Sequence, residues 1–79
     1  MGKVATLFKV YADDADTVKP LIVSTLKPTS IQIEEIGFGI KVLKVMFVHE
    51  DNEGSTKYEE GLRNIAGVRD VEVAEESLL

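Results

Sequence analysis

Three observations in this 79-residue sequence predict an α+β domain with a four-stranded antiparallel sheet and two helices on one face. Four segments alternate apolar and polar residues with the period of strands. Two segments place apolar residues at helical spacing behind acidic or hydroxyl caps. These segments follow one another as strand, helix, strand, strand, helix, strand.

From Lys3 to Tyr11, Val4, Thr6, Phe8 and Val10 alternate with Ala5, Leu7, Lys9 and Tyr11. This period-two pattern, rich in β-branched and aromatic residues, reads as a first strand. Ala12 to Asp16 then offers several Asp side chains as helix caps. Proline is tolerated in the first turn of a helix but removes a backbone bond further in, so Pro20 sets the expected helix start near Asp16 or Thr17. Val18, Leu21, Ile22 and Leu26 share one helical face. Lys27 suits the negative C-terminal end, and Pro28 helps to stop the helix.

Ser30 to Ile36 reads as a second strand whose alternation slips at Glu34-Glu35, which predicts a bulge or an early end. Gly37-Phe38-Gly39 is the connection to a long third strand from Ile40 to Val48. One face of that strand carries Ile40, Val42, Lys44, Met46 and Val48, and the other carries Lys41, Leu43, Val45, Phe47 and His49. Both are apolar enough for a central strand. His49 to Gly54 is a polar, turn-rich break. Thr56 and Glu59 match a capping box, and Tyr58, Leu62 and Ile65 share the face of a second helix that Gly67 would cap. Gly61 costs that helix about 1 kcal/mol relative to alanine, which predicts a close approach to the sheet. Val68 to Ala74 is the last strand, with Val71 and Val73 inward and Asp70 and Glu72 outward, and Glu75 to Leu79 follows as an acidic, then apolar, tail. This order is the split βαβ arrangement of the ferredoxin-like fold, with the first and third strands at the centre of the sheet.

Length and composition narrow the function. The whole chain, residues 1–79, is expected to form one domain with one core. Without cysteine there is no disulfide framework, thiolate site or thiol nucleophile. A net charge of -5 argues against a nucleic-acid surface, because phosphate binding needs clustered positive potential. No apolar run approaches the roughly 20 residues that span a bilayer, and Lys3 is not followed by the continuous apolar block of a signal peptide. The expected location is the cytoplasm.

The residues carry little sign of catalysis. His49, with no second histidine and no cysteine, reads as a surface residue at a strand end rather than a metal ligand or triad member. Glu50, Asp51, Asn52 and Glu53 lack the spacing and closing glutamate of an EF-hand and read as a solvated acidic loop. Glu34 and Glu35 are adjacent on a strand and point to opposite faces, so they are no acid and base pair. Gly37 and Gly39 feed a strand rather than a helix, unlike a phosphate cradle. The third strand shows Leu43, Val45 and Phe47 in place of the aromatic signature of RNA-binding sheets. No catalytic residue, metal or cofactor is therefore expected.

Phe38 is the exception. Its two glycines either permit a tight connection in which the ring caps the core, or bare the ring at a loop tip as an anchor for a partner's pocket. The residues alone leave both readings open.

Ile36-Gly37-Phe38-Gly39-Ile40-Lys41-Val42-Leu43 resembles the IGFGIKKL-type segment of the nucleotide-exchange domain of elongation factor 1-beta. The likeness extends to Val45–Asp51, to the closing Asp70-Val71-Glu72-Val73-Ala74, and to a length and Met1-Gly2 start similar to the compact archaeal form. It implies a non-enzymatic guanine-nucleotide exchange factor that binds elongation factor 1-alpha during translation, with no direct nucleic-acid or membrane partner and a monomeric free state. Phe38, with Gly37 and Gly39 shaping its loop, matches the partner-contacting loop of the family, and Ser77, Leu78 and Leu79 are a second expected contact. The eukaryotic members carry a lysine next to the C-terminus that disturbs the partner's magnesium and phosphate site, whereas Leu78 stands here, behind Glu75, Glu76 and Ser77. The alternative for this element order is a regulatory domain of the ACT type, which would dimerise and bind an amino acid.

Overall fold

The computed structural model describes residues 2–51 and 54–79, so the expected acidic loop at Asn52 and Glu53 lies outside the described residues. It contains β1 (Lys3–Ala12), α1 (Ala15–Leu26), β2 (Ser30–Gly37), β3 (Ile40–Glu50), α2 (Thr56–Arg63) and β4 (Val68–Leu78). The strands form one antiparallel sheet in the order β2-β3-β1-β4. This is the ferredoxin-like α+β fold, and the first and third strands are the central ones.

One face of the sheet is the core. Across the central pair, Val4, Thr6, Phe8 and Val10 stand opposite His49, Phe47, Val45 and Leu43, and all eight are buried. Val18 and Ile22 from α1 and Leu62 from α2 close over this face, with Ile65 and Val71 completing the cluster. Phe47 meets Phe8 edge-on, with centroids 5.9 Å apart, and stacks on Tyr58 of α2 at 4.5 Å. These rings fix α2 against β3 by aromatic geometry as well as by burial. The opposite face carries Lys9, Tyr11, Val42, Lys44 and Met46, and neither α1 nor α2 covers it. Lys44 is therefore no irregularity: it sits on the open face and pairs with Glu34 at 2.6 Å. That pairing holds the Glu34 carboxyl below its usual value.

Several local expectations are corrected. α1 begins at Ala15, with Asp14 as the N-cap: its carboxylate accepts from the Thr17 backbone N–H at 3.4 Å and the Thr17 hydroxyl at 2.7 Å. These bonds lower the Asp14 pKa. Pro20 consequently lies in the second turn, on an exposed side where water can bond the carbonyl it leaves unpaired. Leu21 drifts off the buried face and is 40% exposed, while Ala15 joins Val18 and Ile22. The second helix has no capping box. Ser55 is its N-cap, and its carbonyl accepts from Tyr58 and Glu59, which leaves Thr56 inside the first turn and the Glu59 carboxylate 3.8 Å from Arg63.

Gly67 has the expected positive φ of 92°, but α2 already ends at Arg63. The glycine instead turns the chain from Ile65 into β4, where the Val68 N–H donates to the Ile65 carbonyl. Gly61 marks contact between helices rather than between helix and sheet: a Cβ there would stand 2.8 Å from Leu26 Cδ2. The bulge expected in β2 is present, with Ile36 as the extra residue between the Glu35–Lys41 and Gly37–Ile40 pairs. His49 is 5% exposed, not a surface residue, because α2 and β1 cover the end of β3.

Ile22 and Leu21 test the facing of α1. Ile22→Ala should destabilise the domain by about 2–5 kcal/mol, whereas Leu21→Ala should cost less than about 1 kcal/mol. Urea denaturation followed by circular dichroism measures both, and equal losses would contradict this placement of the helix.

Candidate functional site

The β2–β3 hairpin turns through only two residues, Phe38 and Gly39, between the paired Gly37 and Ile40. Of the two-residue hairpin turns that match the twist of their strands, type I′ needs positive φ at both central positions, which favours Asn and Gly. Here φ is 54° at Phe38 and 75° at Gly39, and Gly37 before them has 114°. The glycines adopt such angles at little steric cost. A phenylalanine does not, and a bulky residue in the left-handed region is strained by about 1–2 kcal/mol.

The ring recovers none of that strain inside the domain. Phe38 is 104% exposed and touches no core residue. The reading in which the ring caps the core is therefore wrong. Ile36 and Ile40, beside it on the two strands, are 55% and 54% exposed, so the hairpin end is an apolar tip. The sequence reading missed these two isoleucines. The slip at Glu34-Glu35 was the available signal, since an extra residue in a strand removes its neighbour from the buried alternation.

The tip adjoins a cleft of about 420 Å³ between the hairpin root and the β1–α1 turn, lined by Asp13, Asp14, Asp16, Gly39, Ile40 and Lys41 among others. Lys41 bridges the two walls at 3.4 Å from Asp16. Arg69 holds Asp13 from β4, at 2.9 Å to both carboxylate oxygens. Among the described residues no group of three or more His, Asp and Glu side chains could hold a metal ion.

Ser77, Leu78 and Leu79 are elsewhere. The acidic, then apolar, tail expected from Glu75 is instead the second half of β4, which pairs with β1 as far as Val4–Leu78, and the Leu79 N–H donates to the Lys3 carbonyl at 2.8 Å. Without this extension the first half of β1 would have one edge unpaired. Leu78 and Leu79 remain 79% and 72% exposed. A bulge at Ala74, between the Leu7–Glu75 and Phe8–Val73 pairs, lets the strand continue with its faces exchanged. Val73 stays on the helix side opposite Phe8, but at the sheet edge it is 46% exposed rather than inward. The hairpin tip lies beyond the Tyr11 end of β1 and the tail at its Lys3 end, so a ten-residue strand of roughly 30 Å separates the two expected contacts. The structure does not bring them together.

The sequence matches the EF-1 guanine nucleotide exchange domain over residues 7–79. The chain belongs to that family. It is similar to elongation factor 1-beta of Methanosphaerula palustris, with 39% identity over 99% of each chain, and to elongation factor 1-beta of Aeropyrum pernix, with 39% identity over 92% of each. Elongation factor 1-beta of Methanospirillum hungatei is 36% identical over the full length of both chains. The domain is thus a guanine-nucleotide exchange domain of translation elongation, and the ACT-type alternative is set aside. Among the described residues no helix is long and apolar enough to cross a membrane.

The strain at Phe38 gives a test that needs no partner. Phe38→Asn puts a residue suited to the left-handed region at the turn and removes no core contact, so it should stabilise the exchange domain by about 1 kcal/mol. Thermal denaturation should then show a rise of roughly 4–8 °C. A fall in melting temperature would mean that the ring packs against its own domain.

Proposed function

We propose that this exchange domain binds elongation factor 1-alpha, with Phe38 as its anchor and Gly37 and Gly39 shaping the turn that presents the ring. One observation carries the reading: a phenylalanine with φ of 54° stands wholly in solvent between two glycines. Buried aromatic side chains are the commonest energetic anchors of protein interfaces, and a rigid two-residue turn loses little entropy when its ring is captured. The surrounding Ile36 and Ile40 would extend the apolar contact.

Release of GDP follows from differential affinity rather than from bond chemistry. A factor that binds the nucleotide-free GTPase more tightly than the GDP-bound form lowers the GTPase's affinity for GDP by the same coupling free energy. The domain needs no catalytic residue, metal or cofactor for this, and on this reading it is not an enzyme. Ser77, Leu78 and Leu79 serve as a second contact at the far end of the sheet. The two contacts would make the factor span its partner rather than plug one site. The Ser77–Leu79 contact acts through its apolar side chains and backbone groups. The factor works as one domain of residues 1–79, monomeric when free, in the cytoplasm, and without direct contact to nucleic acid or membrane.

The test loads elongation factor 1-alpha with a fluorescent GDP and follows its release. The intact domain should accelerate release, and Phe38→Ala should reduce the second-order exchange rate by about tenfold or more, the scale of a lost interface anchor. Leu78→Ser with Leu79→Ser should also slow exchange while leaving denaturant stability within about 0.5 kcal/mol, because both side chains are exposed. No acceleration by the intact domain would refute the proposed partner, whereas full activity of Phe38→Ala would refute only the role of the ring.

A further inference from the structure

His49 is buried on β3, one strand removed from β4 across β1, and its contacts constrain where protons sit. Its Nδ1 lies 2.9 Å from the carbonyl oxygen of Glu50. A carbonyl only accepts, so Nδ1 holds a proton. Its Nε2 lies 2.9 Å from Thr6 Oγ1, and the same hydroxyl lies 3.2 Å from Glu76 Oε2. Thr6 is fully buried on the helix side of β1. The bulge at Ala74 brings Glu76 to this side; in regular alternation from Val71 and Val73, Glu75 and Ser77 would face it instead.

The Thr6 hydroxyl has one hydrogen to give. If His49 carries only the Nδ1 proton, Nε2 is an acceptor and takes that hydrogen, and the Thr6 oxygen is left facing the Glu76 carboxylate with nothing between them. One added proton resolves the conflict. On His49 it makes Nε2 a donor to Thr6, whose hydroxyl then turns to Glu76. On Glu76 it lets the carboxyl donate to Thr6, whose hydroxyl turns to Nε2. In either arrangement all three contacts become hydrogen bonds.

We propose that His49 is a positioning residue for the C-terminal strand, acting through Thr6 and Glu76 and strengthening the docking of Ser77, Leu78 and Leu79 as pH falls. The link from docking to nucleotide exchange rests on the proposed function; the proton relay itself does not. The sign follows from linkage: a set of contacts completed by one added proton is favoured at low pH, so docking weakens as pH rises, by at most about tenfold per pH unit. The other titratable and charged groups around His49 are Tyr58 of α2, with its ring centroid 5.3 Å away, Lys57 with its Nζ 5.1 Å from the centre of that ring, the side chain of Glu50 beside it on β3, and Lys3, which pairs with Glu50 from β1.

The experiment measures amide hydrogen exchange in the free, full-length domain from pH 5.5 to 8, expressed as protection relative to the unfolded chain. The Leu79 N–H, bonded to the Lys3 carbonyl, is the probe. Its protection should fall by roughly fivefold or more across this range, the scale of one hydrogen bond to a charged group. Glu76→Gln supplies the missing donor without a proton: its amide N–H bonds Thr6 Oγ1, and the Thr6 hydroxyl bonds neutral His49. Leu79 should then be as protected at pH 8 as at pH 5.5. A flat profile in the native chain, or an unchanged slope in Glu76→Gln, would overturn the relay. The ratio of Glu76→Gln to native GDP-release rates on elongation factor 1-alpha should rise with pH, and a constant ratio would overturn the link to exchange. Absence of any stimulation by the native domain would overturn the proposed partner and leave the free-protein result to decide the relay.

Discussion

Continuous pairing along β1 is the constraint on which the rest of the domain depends. From Lys3 to Tyr11 this strand meets β3 on one side, and from Val4 to Ala12 it meets β4 on the other, with no residue of either ladder left over except at two bulges. Its inward side chains, Val4, Thr6, Phe8 and Val10, form the middle of the core that both helices cover. Because both neighbours are antiparallel to it, the strand also sets the distance between the two ends of the molecule. The β2–β3 turn projects past one end, and the close of β4 is held at the other. A rigid central strand thus presents two exposed apolar groups, Phe38 and the pair Leu78 and Leu79, at a fixed separation.

The two ends are held in different ways. At the hairpin, backbone conformation does the work: three successive positive φ angles aim a ring outward, and the strain at Phe38 is sustained by strand pairing on both sides of the turn. At the tail, hydrogen bonding does it, through the β1–β4 ladder and the Thr6 contacts to His49 and Glu76. The domain's own stability gains nothing from the first arrangement, since Phe38 buries no surface. A sequence selected only for folding would place Asn or Gly there. Strain and full exposure at the same aromatic residue are the physical grounds for reading the tip as a contact surface.

Much of the fold was legible because period and polarity agreed. Val4 to Val10 and Leu43 to Phe47 announced the central strands, and the order of elements led to the sheet topology. The errors have specific causes. Thr56 and Glu59 fit a capping pattern, but Ser55 one residue earlier begins the helix, and spacing alone does not choose between adjacent hydroxyl residues. Glu75 to Leu79 looked like a tail because its alternation is broken at Ala74. A bulge interrupts the pattern without interrupting the strand. His49 looked like a surface residue because a polar side chain at a strand end usually is one, and its burial depends on α2, Thr6 and Glu76, which are distant in sequence. At the candidate site the glycines around Phe38 were visible, but two readings of the ring were equally compatible with them. Its full exposure rules out the reading in which the ring caps the core.

The central claim is that the hairpin tip enters a pocket of the GTPase. Nuclear magnetic resonance cross-saturation, with isotope-labelled exchange domain and unlabelled, nucleotide-free elongation factor 1-alpha, tests it directly by reporting which amides lie against the partner. The account predicts the strongest saturation transfer at Gly37, Phe38 and Gly39, with a second, separate set at Ser77, Leu78 and Leu79. Transfer confined to the two helices, with the signals of Gly37 to Gly39 unaffected in a saturated complex, would contradict it.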